Sequence, residues 1–100
     1  MKKILLICDM GMSTSLVVKK MNKIAKEKSL SLQIEAHGMQ HFKELIQEFD
    51  CALLGPQIAY KLEECQNIAH QFNKKVACIN MMDYGMLDGE KILAQAQSLL

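Results

Sequence analysis

Residues 3–8 form a continuous apolar run, Lys-Ile-Leu-Leu-Ile-Cys, as expected of a parallel strand buried on both faces. Residues 9–12 contain Gly11 and read as a loop, with Ser13 or Thr14 placed to cap the helix that follows. In that helix Leu16, Val17, Met21, Ile24 and Ala25 recur at helical spacing, and Lys19, Lys20, Lys23, Lys26 and Lys28 fall mainly on the polar side. Residues 30–36 alternate at period two, as a half-covered edge strand does, and Gly38 breaks the pattern. A short helix is predicted over 42–46. Residues 50–54 form a second buried strand, stopped by Gly55-Pro56. Residues 58–72 read as a helix with Ile58, Leu62, Cys65, Ile68, Ala69 and Phe72 inward. A fourth strand follows at 75–79, then a loop at 81–85. The last helix, over 88–100, turns Ile92, Leu93, Ala96 and Leu99 inward.

Strands alternating with helices predict an α/β fold, a four-stranded parallel sheet with helices on both faces. The strand order that fits is 2-1-3-4. All of 1–100 is expected to form a single domain, because a chain of 100 residues is long enough for one core and too short for two. Ligands in such sheets sit beyond the carboxyl ends of the strands, where the winding direction reverses. Here that point lies between the first and third strands, so the relevant loops are 8–15 and 55–60.

Charge and composition narrow the functions. A net charge of +1 gives no footprint for nucleic acid or for an anionic membrane, and the lysines are spread along the chain. No apolar run approaches the roughly 20 residues needed to cross a bilayer. Asp9 and Gly11 interrupt the first run before it could serve as a signal peptide, so a cytoplasmic protein is expected. None of the four cysteines shows C-x-x-C spacing. Cys51 and Cys78 lie in strand-like runs and read as small core residues of a reducing compartment, while Cys65, beside Glu63 and Glu64, reads as an incidental helix residue. His37 and His41 are four apart, but Gly38 separates them and no third ligand is near, so polar surface is the better reading and no metal is expected. His70 reads as a surface residue of the long helix. The chain contains no arginine, so a bidentate guanidinium clamp on a phosphate must come from elsewhere.

The loop from Cys8 through Asp9, Met10, Gly11, Met12, Ser13 and Thr14 to Ser15 joins a buried strand to a helix. A helix start of this kind gathers backbone N–H groups around an anion, and the helix dipole adds to the attraction. Three consecutive hydroxyl residues supply further donors, and Gly11 lets the backbone close in. The same potential favours a thiolate at Cys8, which could attack phosphorus to form a phosphocysteine. The bland reading of Cys8 is one more buried strand cysteine; the glycine and the hydroxyl run after it set it apart. The loop is neither a dinucleotide fingerprint nor a Walker loop.

Cys-x-x-Gly-Met-Ser-Thr-Ser-Leu, from Cys8 to Leu16, resembles the phosphorylation loop of the enzyme IIB proteins of the lactose/cellobiose class in the phosphoenolpyruvate-dependent sugar phosphotransferase system. Leu53-Leu54-Gly55-Pro56-Gln57-Ile58-Ala59-Tyr60 resembles a second family segment, and Tyr84-Gly85 with Asp88-Gly89 a third. The resemblance implies a fold like that of the low-molecular-weight tyrosine phosphatases. It makes Cys8 the nucleophile, residues 9–15 the phosphate-holding loop, and Gly55, Pro56, Gln57, Ile58 and Tyr60 the border of the site and the partner surface. It implies that phosphate arrives from a phosphohistidine on a IIA protein and leaves for a sugar imported by the membrane protein IIC. The resemblance favours a stand-alone component of a cellobiose, chitobiose or other β-glucoside system, and no cofactor is required. Asp9 is unexpected beside the nucleophile, since a carboxylate facing the site opposes both thiolate and phosphate.

Two other functions fit parts of the pattern. A tyrosine phosphatase has Cys-x5-Arg-[Ser/Thr], but here the sixth residue after Cys8 is Thr14. Asp83 or Asp88 would be its general acid. A non-catalytic anion-binding module would keep its function without Cys8. Five of the eight methionines, Met10, Met12, Met81, Met82 and Met86, sit in loops at the proposed site and could adapt to two partners in turn, or simply fill space.

Overall fold

The computed structural model describes residues 1–9 and 14–100. Four strands, β1 (Lys2–Cys8), β2 (Leu32–Gly38), β3 (Cys51–Leu54) and β4 (Lys75–Cys78), form one sheet in the order β2-β1-β3-β4. All neighbouring strands are parallel. The helices are α1 (Ser15–Glu27), α2 (Phe42–Ile46), α3 (Leu62–His70), α4 (Met81–Gly85) and α5 (Gly89–Gln97).

β1 is apolar without alternation because it is central and buries both faces. Ile4 and Leu6 point into a core with Val17, Met21 and Ala25 of α1 and with Ile92, Leu93 and Ala96 of α5. Leu5 and Ile7 point the opposite way, into a core with Phe42 and Ile46 of α2 and with Cys65 and Ala69 of α3. α1 and α5 therefore cover one face and α2 and α3 the other, as the alternation of elements implied. The two helices on the first face pack closely at Gly89, where a Cβ would come within 3.0 Å of the Lys20 Cβ.

Four local expectations change. β2 runs on to Gly38, whose partner is Cys8, so the glycine closes the strand within the ladder rather than breaking it earlier. The segment expected to be helical from residue 58 begins as a 3-10 turn, Pro56–Lys61, and becomes α-helical at Leu62. Ile58 inside that turn has non-helical angles, which bends the chain on entry to α3. Residues 81–85, expected as a loop, form α4, because the Asn80 side chain accepts hydrogen bonds from the backbone N–H groups of Met82 and Asp83. Leu16, placed inward by periodicity, is 49% exposed, because it lies about 100° round α1 from Val17, off the face that Val17, Met21 and Ala25 bury.

Cys65 is no incidental helix residue. It is fully buried, and its thiol approaches the Met39 sulfur at 3.7 Å. Burial pushes that thiol up to about 11, with the neighbouring Glu64 charge adding to the effect. Burial likewise pushes Cys51 up to about 11, with Asp50 contributing, and raises the half-buried Cys78. All three are core thiols held in the neutral form.

Candidate functional site at the carboxyl edge of the sheet

Cys8 is the last residue of β1, at the edge where the strand order reverses, with β2 on one side and β3 on the other. Parallel pairing places it opposite Gly38 of β2. On the β3 side the Gly55 N–H donates to the Ile7 carbonyl at 2.8 Å. A Cβ on Gly55 would lie 3.6 Å from the Cys8 Cβ, so the sulfur-bearing residue stands between two glycines. Cys8 is 1% exposed.

Thr14, directly before α1, is the buried polar side chain at this edge, with no exposure at all. Its position is that of the helix cap, yet its side chain makes no capping hydrogen bond. The hydroxyl instead donates to the Cys8 sulfur at 3.6 Å. A buried O–H aimed at sulfur favours the charged thiolate over the thiol. The cap expected of Thr14 is thus replaced by a contact with the proposed nucleophile, six residues back in the chain.

The remaining predicted site residues are sorted by the fold. Ser15 opens α1 and is exposed, as is Asp9. An exposed Asp9 is screened by solvent, which softens its conflict with a thiolate. Met10, Gly11, Met12 and Ser13 lie outside the described residues, and with them the expected ring of backbone donors. In the second loop Gly55 is buried beside Cys8, Pro56 starts the 3-10 turn, and Gln57 and Tyr60 are exposed. Ile58 does not face the partner side; it is buried in the core under α2 and α3.

An apolar rim surrounds this edge. Leu16 follows β1, Tyr60 (75% exposed) follows β3, and Met81, Met82 and Met86 (each 73% exposed) follow β4. Exposed large apolar groups on the segments that follow three adjacent strands make a surface suited to a protein partner. The sequence pointed to the methionines. It missed Asn80, which holds α4 and so presents them; an Asn immediately before Met81-Met82 was the available signal.

Asp88 is occupied as the cap of α5, accepting from the Lys91 N–H at 3.1 Å, a structural task unlike that of a general acid. His37 is in β2, paired with Glu35 at 2.9 Å and edge-on to Phe49, whereas His41 is in a 3-10 turn, so the two share no helix face. The His37 hydrogen bond, with that of Gln33, lowers the Glu35 carboxyl. Among the described residues no group of three or more His, Cys, Asp or Glu side chains could hold a metal ion.

The family model described as "PTS system, Lactose/Cellobiose specific IIB subunit" matches residues 3–95. The oligo-beta-mannoside-specific EIIB component of Bacillus subtilis is 46% identical over 100% of this chain and 97% of its own. The cellobiose-specific EIIB component of Lactococcus lactis is 36% identical over 99% of this chain and 96% of its own. The lactose-specific EIICB component of Lactococcus lactis is 27% identical over 94% of this chain, which spans only 17% of that longer protein. Among solved structures, the cellobiose-specific phosphotransferase IIB component protein of Borrelia burgdorferi superposes with a TM-score of 0.82 at 36% identity, over 98% of this chain and 90% of that one. The lactose-specific IIB domain of Streptococcus pneumoniae superposes with a TM-score of 0.88 at 16% identity, covering 98% and 96%.

Proposed function

Because the chain belongs to the lactose/cellobiose-specific IIB family of the sugar phosphotransferase system, we propose that it carries the phosphoryl group on Cys8. As a family member it is a IIB component for sugar phosphotransfer during uptake, and such components work with IIA and IIC proteins. The finer reading concerns how it does so. The thiolate of Cys8 attacks the phosphorus of a phosphohistidine on IIA; an S–P bond forms, the N–P bond breaks, and the imidazole leaves. A sugar hydroxyl held by IIC then attacks the phosphocysteine. The O–P bond forms, the S–P bond breaks with its electron pair returning to sulfur as the thiolate, and the hydroxyl proton is released.

The observation that carries this reading is the Thr14 hydroxyl on the Cys8 sulfur, buried, at the carboxyl edge of the central strand. A hydrogen bond to the sulfur holds it as the nucleophile in the first step and as the leaving group in the second. The run from residue 9 to Ser15 supplies donors for the phosphoryl oxygens. Gly55, Gln57 and Tyr60 border the docking face, and Leu16, Met81, Met82 and Met86 complete it. With no arginine in the chain, transition-state charge during hydrolysis is weakly stabilised, so the phosphocysteine outlives the search for its acceptor and a phosphatase is disfavoured. The relatives named for oligo-beta-mannoside and for cellobiose widen the sugar from β-glucosides to β-linked oligosaccharides.

The test is intact mass after incubation with a phosphoenolpyruvate-driven relay containing a matching IIA. The wild type gains one phosphoryl group and Cys8→Ser gains none. A Cys8→Ser protein that still gains the group, or a wild type that stays bare while IIA is charged, removes the proposal.

A further inference from the structure

The outer face of α1 is rich in lysine. The helix buries Val17, Met21 and Ala25, and the opposite side carries Lys19, Lys23 and Lys26 within about 60° of one another at 100° per residue. Among the described residues no carboxylate lies within ion-pair distance of Lys19, Lys20, Lys23 or Lys26; the ion pairs of lysines elsewhere are Lys28–Glu90 and Lys61–Glu64. Lys20 and Lys23 border a cleft with Glu27, Asp88 and Glu90, which marks the acidic limit of the stripe on the α5 side. The chain as a whole is nearly neutral at +1, so folding concentrates on one helix a charge that composition hides.

The stripe does not converge on Cys8. It runs back along the sheet away from the carboxyl edge, from exposed Leu16 to Lys26, a length of about 15 Å at 1.5 Å per residue. A row of ammonium groups on a rod, with one exposed apolar residue at its end, matches a plane of anionic headgroups better than a single phosphoryl group. No helix among the described residues is long and apolar enough to cross a membrane, so any contact is peripheral.

We infer that the α1 lysine stripe docks reversibly on anionic lipid headgroups. In that orientation the helix and strand β1 beneath it lie along the bilayer, and the Cys8 edge faces sideways along the surface, toward a membrane protein beside it. The usefulness of that orientation rests on the proposed carrier function; the lipid contact itself does not.

The test is co-sedimentation of the full chain with vesicles of phosphatidylcholine containing 30% phosphatidylglycerol (a composition chosen for the assay, on the order of natural anionic content). Binding is expected to need phosphatidylglycerol and to fall steeply in about 0.5 M salt. Each lysine near an anionic surface strengthens binding about fivefold, so Lys19→Gln/Lys23→Gln/Lys26→Gln is expected to weaken partitioning by roughly 100-fold. A control with Lys43, Lys74 and Lys75 changed to Gln loses the same charge and keeps binding. Vesicle binding by wild type that ignores phosphatidylglycerol, or an α1 variant that binds like wild type, overturns the inference. So does an α1 variant that leaves vesicle binding unaltered and slows phosphorylation by soluble IIA, which makes a protein the occupant. A Cys8→Ser chain is expected to bind vesicles normally, so loss of the carrier reading and loss of the lipid contact are read separately.

Discussion

The hydroxyl of Thr14 can serve the backbone of α1 or the sulfur of Cys8, and it serves the sulfur. A buried hydrogen bond to a charged group contributes about 1.5–3 kcal/mol. Thr14→Val keeps the shape and removes the donor, so phosphorylation at neutral pH is expected to slow by about tenfold or more, with recovery as alkaline pH ionises the thiol directly. Thr14→Ser restores the rate. Stopped-time mass analysis of phosphate uptake across pH checks this; wild-type rates in Thr14→Val at every pH would remove Thr14 from the chemistry. Cys8 was legible in the sequence, because one cysteine of four is followed by a glycine and three hydroxyl residues. The use of Thr14 was not, since it depends on how close the end of β1 comes to the start of α1. Ile58 is the reverse case: the apolar period of residues 58–72 placed it inward, where it lies, whereas the family resemblance placed it on the partner border.

The strands and the long helices were legible because periodicity is a property of consecutive residues. α4 was missed because, unlike the equally short α2 with its buried Phe42 and Ile46, it buries no residue and so has no inward face to read, and its start is held by one capping side chain. Asn80→Ala leaves the N–H groups of Met82 and Asp83 without that acceptor, at a cost of about 1 kcal/mol. Faster amide hydrogen exchange is expected over α4, with the sheet unaltered; unaltered exchange there would show that α4 is held by its packing alone. Tyr84 packs on the core between α4 and the sheet and is the contact that would do so. α1 carries the opposite lesson. Its periodicity was clear, yet Leu16 is exposed, because it lies about 100° round the helix from Val17, off the face that Val17, Met21 and Ala25 bury.

Across the whole molecule the two cores share one central sheet, so a proton gained or lost in either is felt in global stability. Cys51 and Cys65 stay protonated in the fold up to about 11, whereas an unfolded thiol ionises near its ordinary value of 9.0. The folded state therefore holds more protons in that window: the stability contribution is whole below about 9 and is lost as pH rises through about 11. The urea midpoint is expected to fall between pH 8 and about 10.5, and to fall less in Cys51→Ala, which lacks one of the titrating thiols. An equal fall in both proteins would show that Cys51 burial takes no part. The hydrophobic period by itself determined the four strands, the order of elements and the two-sided burial of β1, because each follows from which faces must leave water. Tertiary structure decided which side chains meet at the carboxyl edge: Thr14 on the Cys8 sulfur, with Gly38 and Gly55 at its sides. Those are distances between segments far apart in the chain, fixed by packing rather than by any local pattern.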